Sequence, residues 1–131
     1  MSTLKVNNLQ DISGGNNSTP EQVAQGRAKF WVTFEGDSSG TNKTINDSFN
    51  VSTIADNGTG DFTINFTNNL SNNNYCVLGG HVIFSNGKNA FRVRPDGGIA
   101  TNQLVSSVRI QVTADGSVSD ATRIYVAGFG D

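Results

Sequence analysis

The chain has 131 residues, a formal net charge of −2 and a pI near 5.2, so its overall charge favours neither nucleic acid nor an anionic membrane surface as a partner. Leu, Ile, Val and Phe together number 33, which exceeds the share expected of a disordered chain. Val and Ile number 20 against five Leu, and 17 Asn with 15 Gly supply turns. The composition predicts an all-β protein, a small antiparallel β-sandwich.

The number of cysteines and the length of the apolar runs limit the cellular compartments in which we expect the protein. The single cysteine, Cys76, excludes an internal disulfide framework, and its place in an apolar run predicts a buried, inert thiol. The longest apolar run is too short to span a bilayer, and the N-terminus lacks an apolar signal-peptide core. We therefore expect no membrane association, and a product that stays in a cytoplasm or is released by cell lysis.

Residues 1–26 form the first predicted unit, an extended N-terminal arm with one short helix. Residues 2–6 alternate like a short strand, and residues 13–17 break regular structure. Residues 18–21 provide the hydroxyl cap, the proline and the acid of a helix start, and Gly26 ends the helix after about two turns. So short a helix must dock on something to be stable.

The arm has two interpretations, a partly disordered tail or an assembly arm that packs on a neighbouring subunit. Its apolar residues are too many for a solvated tail, which favours the assembly arm. The residues assigned to assembly are the apolar ones of the arm together with the tryptophan of the first strand: Leu4, Val6, Leu9, Ile12, Val23 and Trp31.

Residues 27–131 form the second predicted unit, the β-sandwich domain. Its first strand, residues 27–36, directs alternate residues inward and places Trp31 on the opposite face. Trp31 could stack on a sugar there, but a position at a sheet edge or subunit interface is favoured. A β-hairpin over residues 48–67 follows, and a bulge is expected where Ile54 falls out of phase.

About seven strands are expected in this domain, at the spacing of a sandwich. Residues 37–47 are predicted to be a polar loop. Residues 75–84 are apolar on both faces, which predicts a central strand kinked at Gly79-Gly80. Further strands are predicted over residues 90–94, 104–113 and 121–129. The expected core consists of Phe30, Val32, Phe34, Phe49, Val51, Phe62, Ile64, Phe66, Val77, Phe91, Val93, Ile110, Val112, Ile124 and Val126.

Groups suited to catalysis are few. The only histidine, His81, lies in the most apolar run, which favours a structural role over general-base chemistry. Five aspartates lie in or beside Gly-rich turns without the ligand spacing of a calcium loop, which favours turn capping: Asp56, Asp61, Asp96, Asp115 and Asp120. A glycan hydrolase would need paired carboxylates, and the strands offer only Glu35. We expect no enzymatic activity, no cofactor and no bound metal.

Several segments resemble a module that recurs in tail-fibre and other virion proteins of tailed bacteriophages, notably marine ones. The resemblance covers the Ser-Thr-Leu-Lys-Val start, the segment from Thr19 to Gly26 and the final Val-Ala-Gly-Phe. It also covers residues 28–34, 48–54 and 56–66.

The resemblance implies a small β-sandwich on the outside of a virion, trimeric and attached through its N-terminal arm. The leading hypothesis is a tail-fibre or tail-tip component that presents loops 37–47, 68–74 and 114–120 to a host-surface glycan or protein. The alternative is a capsid decoration or head-appendage protein with no host ligand. The expected partners are further copies of the chain and other virion proteins, but neither nucleic acid nor membrane. The expected location is the virion, assembled in the host cytoplasm and released by lysis.

Overall fold

Two antiparallel β-sheets pack face to face in the computed structural model, which describes residues 2–130 apart from residues 4, 11, 16, 83–88 and 95–98. The all-β sandwich expected from the composition is therefore confirmed. Within the described ranges, no helix is long and apolar enough to cross a membrane. The described elements, in chain order, are α1 (Pro20–Gly26), β1 (Phe30–Glu35), β2 (Thr44–Phe49), β3 (Val51–Gly58), β4 (Asp61–Phe66), β5 (Cys76–Val82), β6 (Ala90–Val93), α2 (Ile99–Asn102), β7 (Ser107–Ala114), β8 (Ser117–Val118) and β9 (Arg123–Phe129).

The strand order is β2-β1-β9-β5 in the first sheet and β3-β4-β7-β6 in the second, with the short β8 paired to β7. Consecutive strands β2 and β3, β4 and β5, and β5 and β6 belong to opposite sheets. The strands of the two sheets therefore alternate along the chain, and the first sheet is complete only when the C-terminal strand β9 lies between β1 and β5.

The core lies between the inner faces of the two sheets and is rich in aromatic rings. The rings of Phe30 and Phe66 are 4.5 Å apart, and those of Phe34 and Phe62 meet edge to face at 5.4 Å. The predicted core is confirmed, with three members only partly buried (Val77, Phe91 and Val93) and with one error. The buried members are Phe30, Val32, Phe34, Val51, Phe62, Ile64, Phe66, Ile110, Val112, Ile124 and Val126.

The error is Phe49, which was predicted to be in the core but is 51% exposed. The chain leaves the first sheet after Phe49 and enters the second at Val51, so these residues do not belong to one alternating strand. Asn50 forms the corner with a positive φ of 55°. Its side-chain amide donates to the carbonyl oxygens of Lys29 and Asn68, both at 3.1 Å, and its Oδ1 accepts from the Asn68 amide at 2.8 Å.

The bulge predicted near Ile54 is confirmed. The pairing of β3 with β4 shifts register between Val51 and Thr53, so one extra residue is accommodated there. This shift turns Ile54 inward opposite Ile64, and Ile54 is fully buried. The out-of-phase residue therefore belongs to the core.

The prediction that residues 75–84 form a central strand is wrong. In the described part of the chain β5 is an edge strand that pairs only with β9, and its register is regular through Gly79-Gly80, so no kink occurs. Cys76, expected to be buried, is exposed at the start of this strand. The apolar residues on its outer side do not face a second layer in the described part of the chain. Residues 83 and 84 lie outside the described residues.

Two strands, β2 and β8, lie where loops were predicted. Residues 44–47, predicted to be loop, begin β2, whose polar side chains reflect an edge strand with little burial. Within residues 114–120, Asp115 and Gly116 both have positive φ and form a tight turn between β7 and β8. These two elements account for nine described strands where seven were expected.

The arm is less regular than predicted. Residues 2–6 contain no strand among their described members, but Leu9 pairs with Ser18 through two backbone hydrogen bonds of 2.8 Å. Helix α1 ends at Gly26, as predicted. Its capping box joins Thr19 to Gln22, one residue later than the predicted cap with Glu21.

The sandwich has two distinct ends. At the arm end, the arm enters β1 and the connection over residues 67–75 packs beside residues 103–105, with the Leu70 amide donating to the Val105 carbonyl at 2.8 Å. At the opposite, far end lie the loops 36–43, 58–60 and 114–122. Two hydrogen bonds join these loops there: the Gly36 amide donates to the Ala121 carbonyl at 2.9 Å, and the Gly60 amide donates to Asp120 Oδ1 at 2.8 Å.

Candidate functional site: an apolar outer sheet face

The outer face of the first sheet carries large apolar side chains in register. Phe49, Trp31, Ala127 and Leu78 lie opposite one another across β2, β1, β9 and β5. In the next row, Tyr125 lies between Thr33 and Gly80. We call this surface the aromatic face, and it comprises Trp31, Thr33, Phe49, Leu78, Gly80, Val82, Tyr125 and Ala127.

The aromatic face is open to solvent. Trp31 is 37% exposed, Tyr125 47% and Leu78 57%. Small residues at Gly80 and Ala127 leave a shallow concavity of about 560 Å³ between the larger side chains. The largest exposed apolar patch of a monomer often has a function, so this face is a candidate interaction surface.

The local sequence explains why this face exists. In β1 the inner residues Phe30, Val32 and Phe34 are buried, which places Trp31 and Thr33 outside by strand alternation. On β5, Gly79 points inward, where the ring of Phe91 occupies the space that a Cβ would take. The large outer residues are therefore not core residues displaced from the interior. They hold the outward positions of well-formed strands.

Polar groups are sparse on the aromatic face and gather at its rim. The Thr33 hydroxyl is buried beneath its neighbours and has no hydrogen-bond partner within the described residues. Toward the far end, Glu35 accepts from the Asn46 amide at 3.1 Å and lies 3.7 Å from Arg123. Contact with this surface must therefore come from apolar burial, because the charges stand to one side of it.

The arm presents the second exposed apolar surface. Val6, Leu9, Ile12 and Val23 are all exposed, and α1 buries none of its side chains. Leu4, the remaining arm residue predicted for assembly, lies outside the described residues. Their role in assembly stays a prediction.

Of the predicted site residues, Trp31 is the one that the fold places within a larger surface. Its neighbours Phe49, Leu78 and Tyr125 were missed by the sequence interpretation. A signal for Tyr125 was available, because it alternates with the buried Ile124 and Val126 in β9.

The far-end loops are polar and fixed at their base by a buried lysine. The side chain of Lys43 is 5% exposed, and its Nζ donates to the Ser38 carbonyl at 2.8 Å and pairs with Asp56 at 2.9 Å. The same ammonium lies 5.9 Å from the centre of the Phe62 ring, at the end of the core. The hydrogen bond from Lys43, together with one from the Gly58 amide, holds the pKa of Asp56 below its ordinary value.

The other titratable residues considered in the sequence analysis are His81 and the aspartates of the Gly-rich turns. Burial lowers the pKa of His81, partly offset by a hydrogen bond with the Thr113 backbone. Asp56 and Asp120 cap the amides of Gly58 and Gly60, as predicted for turn aspartates. Asp61 instead pairs with arginine, and Asp96 lies outside the described residues. The described residues contain no group of three or more His, Cys, Asp or Glu side chains placed to hold a metal ion.

Comparison of the chain with protein-family models, with curated proteins and with solved structures found no match.

Proposed function

We propose that this chain is a virion structural protein of a tailed bacteriophage, a tail-fibre or tail-tip component held by its N-terminal arm. The observation that supports the proposal is the polarity of the domain, in which the arm and the polar far-end loops lie at opposite ends. A fibre module needs this polarity, since one end must hold the virion while the other stays accessible to the host. The resemblance in the arm and the first strands suggested the same orientation.

The host-facing surface in this proposal is the far end, with loops 36–43, 58–60 and 114–122. These loops are rich in Gly, Ser, Thr and Asp, which provide adaptable hydrogen bonding to a surface glycan. The loop over residues 68–74, expected to share this role, lies at the arm end. Its Tyr75 neighbour is anchored there, since the Tyr75 carbonyl accepts from Gln103 at 2.6 Å. We therefore leave that loop out of the host-facing surface.

An adsorption experiment tests the proposal. Host cells are pre-incubated with the purified full-length chain, and the rate at which the phage adsorbs is then measured. The wild-type chain should compete for receptors and slow adsorption. Asn42→Arg, at the exposed far end, should abolish the competition, whereas Asn69→Arg, the same change at the exposed arm end, should preserve it.

The copy number per virion decides between the tail and the capsid. Quantitative mass spectrometry of purified virions should find few copies of the chain relative to the major capsid protein. Undiminished adsorption at saturating protein, together with a capsid-scale copy number, would overturn the tail assignment in favour of a decoration or head-appendage protein.

A further inference from the structure

We propose that the aromatic face is the docking surface for the N-terminal arm of a second copy of this chain, so that copies assemble by exchanging arms. This mode of assembly does not depend on the role in a virion proposed above. It assigns one occupant to the apolar concavity. The arms then join copies to one another, and the attachment to the virion proposed above uses the arm end of the assembled oligomer.

Exposed apolar side chains are concentrated on these two surfaces. The described residues include twelve large hydrophobic side chains that are exposed. Only three of these lie outside both surfaces: Leu104, Val105 and Val118. The other nine belong to the aromatic face (Trp31, Phe49, Leu78, Val82 and Tyr125) or to the arm (Val6, Leu9, Ile12 and Val23). One chain thus carries two apolar surfaces that both need cover.

The arm does not cover the aromatic face of its own chain. Only residues 27–29 separate α1 from β1, yet Trp31 and Val23 are both exposed. A second copy satisfies both surfaces at once, because each copy offers one arm and one face.

The area of the aromatic face also favours an arm over a face-to-face pairing. Four strands about 4.8 Å apart and about seven residues long give a projected area of about 400 Å². Two such faces packed together would bury about 400 Å² on each partner, roughly half the area of a standard stable interface. Arm exchange buries about this area twice in each copy, once on its face and once on its arm, and so reaches about 800 Å² per copy.

The chemistry of the aromatic face selects an apolar peptide over a sugar. The row formed by Phe49, Trp31, Ala127 and Leu78 offers a single side-chain donor, the Trp31 indole, and no charge. The next row adds the Tyr125 hydroxyl and the buried Thr33 hydroxyl, with the Asp47 carboxylate at its edge. A sugar site needs several convergent polar groups to match the ligand's hydroxyls. The floor at Gly80 and Ala127 instead leaves room for an aliphatic side chain such as Leu9 or Ile12 between the larger residues.

Arm exchange is a head-to-tail contact, so it must close into a ring to give a defined particle. A dimer or a trimer satisfies this requirement equally, and each copy buries the same surface in either. The trimer expected from the resemblance is therefore compatible with this interface.

The mass of the full-length chain in solution, measured by light scattering across a dilution series, provides the first test. Trp31 is the only tryptophan, so its fluorescence reports directly on the aromatic face. We expect an oligomer whose Trp31 emission shifts to the red on dilution to monomer. Leu9→Ser combined with Ile12→Ser should raise the dissociation constant by about tenfold or more while leaving the far-UV circular dichroism unchanged.

A matched pair of valines controls for general surface effects. Val82 on the aromatic face and Val118 at the far end are both 45% exposed and both lie on strands. Val82→Ser should weaken assembly severalfold, and Val118→Ser should leave it unchanged. Equal effects from the two variants would overturn the assignment of this face.

Disulfide cross-linking identifies which copy supplies the arm. In a Cys76→Ser background, a Leu9→Cys chain is mixed with a Leu78→Cys chain and oxidised, with Val118→Cys replacing Leu78→Cys as the control. We expect a covalent heterodimer with Leu78→Cys and little with Val118→Cys. A chain carrying both Leu9→Cys and Leu78→Cys that cross-links only within itself would show that the arm packs on its own domain. That result, or a monomer at all concentrations, would overturn the proposal.

Discussion

The two outer faces of the sandwich differ in how completely their side chains are paired with one another. On the second sheet, Arg109 donates two hydrogen bonds of 2.8 Å to Asp61, and Arg94 pairs with the same carboxylate. Arg92 donates to Gln111 at 3.0 Å, in the same cross-strand row as Asp61. On the first sheet the outward positions of the aromatic face hold mainly Trp31, Tyr125 and other apolar groups, and the contacts among Glu35, Asn46 and Arg123 lie at its rim. One face is completed by its own side chains, whereas the other is left open, and it is this open face that we propose a second copy covers.

This difference separates folding from assembly. Substitutions on the polar outer face should change the free energy of unfolding, because its groups are paired within the chain. Substitutions on the aromatic face should change association and leave the fold intact. The following experiments test that division, from the largest expected effect to the smallest.

The Asp61 carboxylate should contribute most to stability on the polar face. It is 7% exposed at the side chain and is paired with Arg94 and Arg109, so Asp61→Asn removes a buried anion that two guanidinium groups share. We expect a loss of about 3 kcal/mol in the free energy of unfolding, measured by urea denaturation. The control is Asp47→Asn, the same change on the exposed edge strand of the first sheet, with an expected loss below about 0.5 kcal/mol. Equal losses would contradict the contrast between the faces.

Adjacent glycines on β5 compare the inner and outer sides of one strand. A Cβ at Gly79 would lie 2.4 Å from the Phe91 ring, whereas a Cβ at Gly80 meets nothing within 4 Å. Gly79→Ala should therefore cost about 2 kcal/mol through overpacking. Gly80→Ala should be neutral or slightly stabilising for the fold of a single copy, and thermal unfolding of protein dilute enough to be monomeric, followed by circular dichroism, measures both. A stable Gly79→Ala protein would show that Phe91 moves aside readily.

Asn50 joins the two sheets, so substitutions there test the boundary between the faces. Asn50→Ala removes four side-chain hydrogen bonds and places alanine at a φ of 55°, with an expected cost of about 2 kcal/mol. Asn50→Gly removes the same hydrogen bonds but tolerates the backbone, so it should cost about 1 kcal/mol. Chemical denaturation of both variants separates the two contributions. Identical losses would mean that the positive φ carries no cost.

The smallest effect concerns acid stability at the rim shared by both sheets. The pKa of Asp56 is lowered in the folded chain, chiefly by Lys43, so this pair stabilises the fold above the unfolded pKa near 3.8 and is lost as the pH falls through the lower folded value. Lys43→Met should therefore flatten the decline in unfolding free energy below about pH 4. Parallel declines in the wild type and the variant would assign the acid sensitivity to other carboxylates.

The core could be predicted from the sequence where alternation ran uninterrupted, as in β1 and β4. The exception at Phe49 has a physical reason. Apolar and polar residues still alternate in the sequence from Phe49 to Val51, but at Asn50 the backbone turns into the other sheet. The same limit applied to β5. Apolar residues on both sides of a strand indicate two covered faces, but they do not tell whether the cover is another layer of the same chain. Residues 75–84 were predicted to form a central strand for that reason.

Of the large residues on the aromatic face, the sequence predicted only Trp31 as a site residue. Trp31 was recognised because it points away from a clear inner face. Phe49 and Leu78 were not, since their grouping with Trp31 depends on the order β2-β1-β9-β5, which brings together residues far apart in the chain. Strand order depends on pairings over long sequence distances, and no local pattern specifies it.

The exposure of Cys76 has a practical consequence for orienting the molecule on a solid support. It is the only thiol in the chain and is paired in register with Phe129, at the arm end of the first sheet. Maleimide coupling at this position would immobilise every molecule in the same orientation, with the far-end loops directed into the flow. A biosensor chip or a cantilever tip prepared in this way would present the proposed glycan-facing surface to cells without any engineered tag.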